Sequence, residues 1–137
     1  MIVRPYSIVL DAEALSALAM DDRRLQAWAT FARRSDSVIY ASCLTLAEVT
    51  DGTTRDAAVR RAVKAVRLVD VSPDIAYRAG RLRAAAAQAR RKLRDLTVDA
   101  VVAATSAGLP KPVVVLTSDP DDLRLLLEGQ GVKVEVV

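Results

Sequence analysis

Five short apolar, β-branched runs, separated by longer stretches of helical pattern, constrain the fold of this chain more than any other feature. They are "YSIVL" at 6–10, "SVIY" at 37–40, "RLVDV" at 67–71, "VVVL" at 113–116 and "KVEVV" at 133–137. Each is of strand length and is bounded by turn or capping residues. Between the first two lie "DAEALSALAM" and "RRLQAWATFARR", both helical in composition. Ser42 is placed to cap a helix through "CLTLAEV" that stops near Gly52, and a basic amphipathic helix is expected over 55–66. Ser72-Pro73 opens a long helix, rich in Ala and Arg, reaching about Lys92. "LTVDAVVAATSAGL" reads as a helix closed by Gly108, and a last helix covers 121–128. Strands alternating with helices bury themselves as a parallel sheet. The expectation is one α/β domain over residues 1–137, with a central parallel sheet of about four to five strands and helices on both faces. No linker, repeat or low-complexity stretch divides it.

A chain of 137 residues can bury a real core. With 52% apolar but only 4% aromatic residues, that core must be built from Ala, Val and Leu. No apolar stretch approaches the ~20 residues of a membrane span, and no leader-like apolar region follows Arg4. A single cysteine, Cys43, excludes an internal disulfide and suits a reducing, cytoplasmic setting. Without a histidine partner it is expected to be a small buried residue rather than a nucleophile. The chain has no histidine at all. That removes the usual general base, every His-containing triad and the commonest zinc ligand. A metal site here must be made of carboxylates and hydroxyls, which select Mg²⁺ or Mn²⁺. The net charge of +3 argues only weakly for a polyanionic partner.

In parallel sheets, ligands bind beyond the carboxyl ends of the strands. Asp11 directly follows the first run, Glu48 lies about a helical turn beyond the second, and Asp119 follows "VVVLTS". Asp99 is the one acid inside "TVDAVVAATSA". Each has a bland reading. Asp11 and Asp119 can cap helices, Asp121 and Asp122 suit a first turn, and Glu48 can pair with Arg55. Asp99 is harder to dismiss, because burying its helix carries a carboxylate toward the sheet, and Asp95 precedes it by four residues. The bland readings fail for the set: four acids at one edge repel one another unless a cation lies between them. No lysine or arginine stands within these motifs.

These segments carry a resemblance to a known family. "IVLDAEALSAL", "YASCLTLAEV", "LTVDAVVAATSAG" and "VVVLTSDPDDL", in that order and over essentially the whole chain, resemble the PIN-domain ribonucleases, specifically the VapC-type toxins of bacterial toxin–antitoxin pairs. The resemblance implies a Mg²⁺-dependent endoribonuclease, with Mn²⁺ as an alternative ion, whose catalytic acids are Asp11, Glu48, Asp99 and Asp119. Asp11, Asp99 and Asp119 would hold the metal or its waters, and Glu48 would be a ligand or a water-positioning base. Thr117 matches a family hydroxyl beside the metal, and Asp122 is a further acid near it. Ala12 departs from the pattern, since many members have Thr or Ser directly after the first aspartate. The resemblance also implies RNA cut to 5′-phosphate and 3′-hydroxyl ends, a cognate antitoxin, and a toxin homodimer for which residues 12–20 and 25–33 offer apolar helices.

The long helix and its exit carry Arg78, Arg81, Arg83, Arg90, Arg91, Lys92 and Arg94. A solvated face accounts for at least half of them. The run Arg90, Arg91, Lys92 and Arg94, just before the Asp99 helix, is the better candidate for contacting an RNA backbone. Trp28 and Tyr77 read as core or interface. Two other functions fit less well. A catalytically silent binding or regulatory module of the same fold would not need all four acids. A Mg²⁺-dependent phosphatase or phosphoacceptor would want another aspartate two residues after Asp11, or a lysine after a late strand, where Glu13 and Ser118 stand. A dinucleotide-binding domain would want a Gly-rich first turn.

Overall fold

The structure, a computed structural model, describes residues 5–89 and 95–137. β1 (Ser7–Leu10) and β4 (Val113–Thr117) are buried along their whole length. Continuous apolar runs of this kind belong in the middle of a parallel sheet covered on both faces. β2 (Val38–Ser42) pairs with β1, β3 (Arg67–Val69) pairs with β2, and β5 (Val132–Val136) pairs with β4. The sheet has five parallel strands in the order β3-β2-β1-β4-β5. Leu10 is in register with Leu116, and the Asp11 amide donates to the Leu116 carbonyl at 3.3 Å.

Helices cover both faces. α1 (Ala12–Ala19), α2 (Arg23–Ser35) and α4 (Asp56–Ala62) lie on one side. There Leu15, Leu18, Leu25 and Ala29 pack with Ile8, Leu10, Ile39 and Leu116. On the other side, α5 (Pro73–Ala89), α6 (Thr97–Ala107) and α7 (Pro120–Leu126) enclose Val9, Val113 and Val115. α3 (Cys43–Val49) starts where β2 ends, with Ser42 Oγ accepting from the Leu44 amide at 3.1 Å. Residues 100–106 of α6 are buried on every side, so α6 is an interior helix. Its Thr105 and Ser106 hydroxyls remain satisfied by donating to the Val101 and Val102 carbonyls, each at 2.8 Å.

Several boundaries differ from the sequence expectations. The third strand ends at Val69 instead of residue 71, because Val69 is in register with Ser42, where its partner β2 ends and α3 begins. The segment expected as a helix over 55–66 divides into α4 and a 3₁₀ turn, Val63–Ala65. α4 starts at Asp56, whose carboxylate is buried and accepts from the Asp51 and Gly52 amides at 3.0 and 2.8 Å. The last helix runs over Pro120–Leu126 rather than 121–128, and the last strand starts one residue earlier, at Val132. The long helix is described as far as Ala89; residues 90–94, into which the sequence pattern continues it as far as about Lys92, lie outside the described residues.

Gly108 does close α6, but with φ −92° it is not a left-handed cap. Its smallness serves a close approach instead. A Cβ there would stand 2.6 Å from Arg78 Nη1, which donates to the Ala104 carbonyl at 3.0 Å and joins α5 to α6. Gly108→Ala is expected to displace the guanidinium and cost about 1–2 kcal/mol, the worth of a charge-assisted hydrogen bond. Thermal unfolding checks it, with a fall of several degrees for the variant and no further fall for Gly108→Ala in an Arg78→Ala background.

Candidate active site at the carboxyl edge of the sheet

The chain leaves β1 toward β2 on one side, and β4 leads to β5 on the other. The carboxyl ends of β1 and β4 therefore form the switch point of the sheet, where such folds open a crevice. A cleft of about 180 Å³ lies there, lined by Asp11, Ala12, Glu13, Glu48, Asp99, Val102 and Asp119. Four acids distant in sequence are thus brought to one wall. Two larger cavities, of about 440 and 480 Å³, are lined by no acid at all. Size would point to them, but only the small cleft gathers groups able to do chemistry.

Asp11 does two things at once. Its Oδ1 caps α1 by accepting from the Ala14 amide at 2.9 Å, and its carboxylate lines the cleft. Burial raises its pKa, and hydrogen bonds from the Thr117 hydroxyl and the Ala14 and Glu13 amides draw it partly back. The negative charge of Asp119 adds a smaller rise. Glu48 is raised by burial first, then by the charges of Asp99 and Asp11. The acids therefore sense one another across the cleft.

Asp119 corrects an expectation. It occupies the position before α7, yet its side chain caps nothing. Thr117 instead holds the backbone just before the helix: its Oγ1, fully buried at the end of β4, accepts from the Asp119 amide at 3.0 Å. The single proton of Thr117 has two acceptors, the Asp119 carbonyl at 3.2 Å and the Asp11 carboxylate. The charged oxygen is the stronger acceptor, and 3.2 Å is long for a hydroxyl donor. Thr117 thereby leaves the Asp119 carboxylate to the cleft while steadying Asp11.

Asp99 sits in the first turn of α6, where the helix dipole favours it. Asp95 is not on that helix, contrary to the same-face reading. It accepts from the Thr97 amide and hydroxyl at 2.9 and 2.6 Å and so helps start α6. Asp122 lies in the first turn of α7 and is not among the residues lining the cleft. Among the described residues, no ion pair joins Glu48 to Arg55, and none neutralises Asp11 or Asp119.

The basic residues divide. Arg78 is tied to α6, and Arg83 Nη1 donates to Thr97 Oγ1 at 2.7 Å. Arg90, Arg91, Lys92 and Arg94 lie outside the described residues. Tyr77 is 73% exposed and therefore not core, whereas Trp28 packs edge-on against Phe31 with ring centres 5.8 Å apart. Cys43 is half-buried rather than buried, and burial together with Asp70 raises its pKa, which keeps the thiol protonated and unreactive. Two residues enter that the sequence pattern had not singled out. Glu13 lines the cleft beside Asp11. Thr45, one turn before Glu48, is fully buried with an unpartnered hydroxyl; a hydroxyl three residues before a helical acid was its only signal.

Among the described residues, no three carboxylates converge into a ready-made metal cage. The donor set is nonetheless all oxygen, at least half of it strained by burial and like charge, and a hard divalent cation fits that chemistry. The raised pKa values have a consequence for stability. A folded acid with a raised pKa binds more protons than the unfolded chain, so stability falls as pH rises through that interval. The window opens at the ordinary values, 3.8 for Asp11 and 4.5 for Glu48, and closes above the raised folded ones. Metal-free protein is expected to lose stability from these groups as pH rises above about 4. Urea midpoints across that range should show a shallower fall in an Asp11→Asn, Glu48→Gln variant.

A model of the PIN domain matches residues 8–124. The chain belongs to the PIN-domain family, whose members are generally nucleases. A search of curated proteins by sequence found no match. Among solved structures, the fold is similar to a chain of VapBC2 from Rickettsia felis bound to a DNA fragment from its promoter, with TM-score 0.72, 12% identity, and 96% and 98% of the two chains covered. It is equally similar to a chain of DNA-bound VapBC from Salmonella typhimurium, with TM-score 0.72, 15% identity and 98% of each chain covered. A toxin–antitoxin complex from Klebsiella pneumoniae gives TM-score 0.61 at 22% identity, covering 91% and 94%. Among the described residues, no helix is long and apolar enough to cross a membrane.

Proposed function

We propose that the protein is a VapC-type toxin, a divalent-cation-dependent endoribonuclease, with the acidic cleft as its active site. The observation that carries this is the gathering of Asp11, Glu48, Asp99 and Asp119 on one wall of the switch-point crevice. Asp11, Asp99 and Asp119 would hold Mg²⁺ or Mn²⁺, which when bound polarises a phosphodiester and lowers the pKa of water. Glu48, its pKa raised by burial and by the charge of Asp99, would be a further ligand of the ion or accept a proton from the attacking water. Thr117 keeps the Asp11 carboxylate in one orientation, and Asp122 would act from outside the cleft, if at all, through the start of α7. Arg90, Arg91, Lys92 and Arg94 would hold the RNA backbone beside an otherwise repulsive site.

Similarity in fold to chains of VapBC complexes supports a cognate antitoxin as partner; a cytoplasmic setting and a homodimer belong to the same proposal. The test is incubation of antitoxin-free protein with a mixed RNA pool, with Mg²⁺ or Mn²⁺ and with EDTA, alongside Asp99→Asn. Discrete cleavage that needs the ion and Asp99 is the expected outcome. RNA left intact by folded protein that still binds Mn²⁺ would replace the nuclease with a binding module.

A further inference from the structure

Four hydroxyls in or at the ends of the helices return to the carbonyl four residues back. Ser35 donates to Phe31 at 2.7 Å, Thr50 to Leu46 at 2.9 Å, and Thr105 and Ser106 to Val101 and Val102 at 2.8 Å. Thr45 does not. It is 0% exposed, and its Oγ1 is the one buried side-chain oxygen or nitrogen with no hydrogen-bond partner among the described residues. As the third residue of α3, it has Ala41 of β2 four residues behind it, where the backbone is strand rather than helix. A buried donor without a partner is uncommon enough to need a reason.

Geometry supplies one. Residues three apart on a helix are neighbours on one face, and long side chains lean toward the helix N-terminus over the preceding turn. Glu48, an exposed residue that lines the acidic cleft, is three residues beyond Thr45, so helix geometry puts its side chain within reach of that hydroxyl. α3 packs against both α1, which Asp11 starts, and α6, which carries Asp99. Thr45 is therefore buried on a helix that adjoins both helices bearing these acids.

We propose that Thr45 is a positioning residue for Glu48: its hydroxyl donates to the Glu48 carboxylate and fixes it over the cleft when a cation draws the acids together. This rests on the cation-dependent reading of the site. It assigns Thr45 no contact with the substrate. Its effect passes entirely through Glu48.

The test uses the full chain, with Mn²⁺ binding followed by calorimetry and thermal unfolding followed without metal. Thr45→Val removes the hydroxyl at nearly constant shape, and Thr45→Ser keeps it. Thr45→Val is expected to weaken Mn²⁺ binding about tenfold, the lower end for loss of a group that orients a ligand. Thr45→Ser should stay within about twofold, and Thr45→Val should add nothing in a Glu48→Ala background, which offers the hydroxyl no side-chain acceptor. Metal-free Thr45→Val should melt no lower than the parent, because it loses an unpartnered hydroxyl. Unchanged Mn²⁺ affinity in Thr45→Val, or the same loss with Glu48 already replaced, would overturn the proposal. So would a lowered melting temperature that Ser restores, which marks a hydroxyl held within the core. A parent protein that neither binds Mn²⁺ nor cuts RNA would instead defeat the nuclease reading, and the role of Thr45 with it.

Discussion

Asp11→Asn is expected to lower RNA cleavage about a hundredfold to a thousandfold, the range for removing one group that stabilises transition-state charge. The fold should survive. Asparagine caps helices about as well as aspartate, so the bond from the Ala14 amide can be kept. The substitution also removes a charge whose pKa burial has raised, so stability at neutral pH should be equal or slightly higher. Activity and stability thus move in opposite directions, which a merely structural role for Asp11 would not produce. Cleavage rate and melting temperature, measured together, check this; full activity in the variant would remove Asp11 from the site.

The second large effect is on the core that holds this carboxylate. Leu15 is 0% exposed, and its amide donates to the Asp11 carbonyl at 2.9 Å in the first turn of α1. It packs with Leu10 and Leu116, at the carboxyl ends of β1 and β4. Leu15→Ala is expected to cost about 2–5 kcal/mol through lost burial and an unfilled cavity. Domains of this size are stable by only about 5–15 kcal/mol, so the folded fraction at physiological temperature should visibly drop. Urea unfolding measures it. A loss below about 1 kcal/mol would mean that α1 relaxes into the space, and that its first turn is less firmly set than the packing indicates.

Much of the site was legible in the sequence for a topological reason. A parallel sheet sends its ligand-binding edge to the carboxyl ends of its strands, so Asp11 after "SIVL" and Asp119 after "VVVLTS" could be placed before any contact was known. Glu48 and Asp99 followed, because each lies on a helix next to such a strand. What failed was local competition. Asp119 fits a helix cap by composition, but its side chain caps nothing, and its own amide is held by Thr117, two residues earlier. Asp95 looked like a helical neighbour of Asp99 and instead serves the helix start through Thr97. The third strand stopped early because its partner β2 ends at Ser42, opposite Val69, a pairing across 27 positions that periodicity cannot register. Thr45 was invisible for the converse reason, since an unmet hydrogen bond leaves no trace in sequence.

As proposed, a cation held by these carboxylates would activate water to attack the phosphodiester. The ends of the RNA fragments test it most directly. Cleavage in the presence of Mg²⁺ or Mn²⁺ should leave 5′-phosphate and 3′-hydroxyl ends, carry ¹⁸O from labelled water into the 5′-phosphate, and stop with EDTA. Fragments ending in a 2′,3′-cyclic phosphate, formed equally well in EDTA, would contradict it, because the attacking oxygen would then be the RNA's own 2′-hydroxyl.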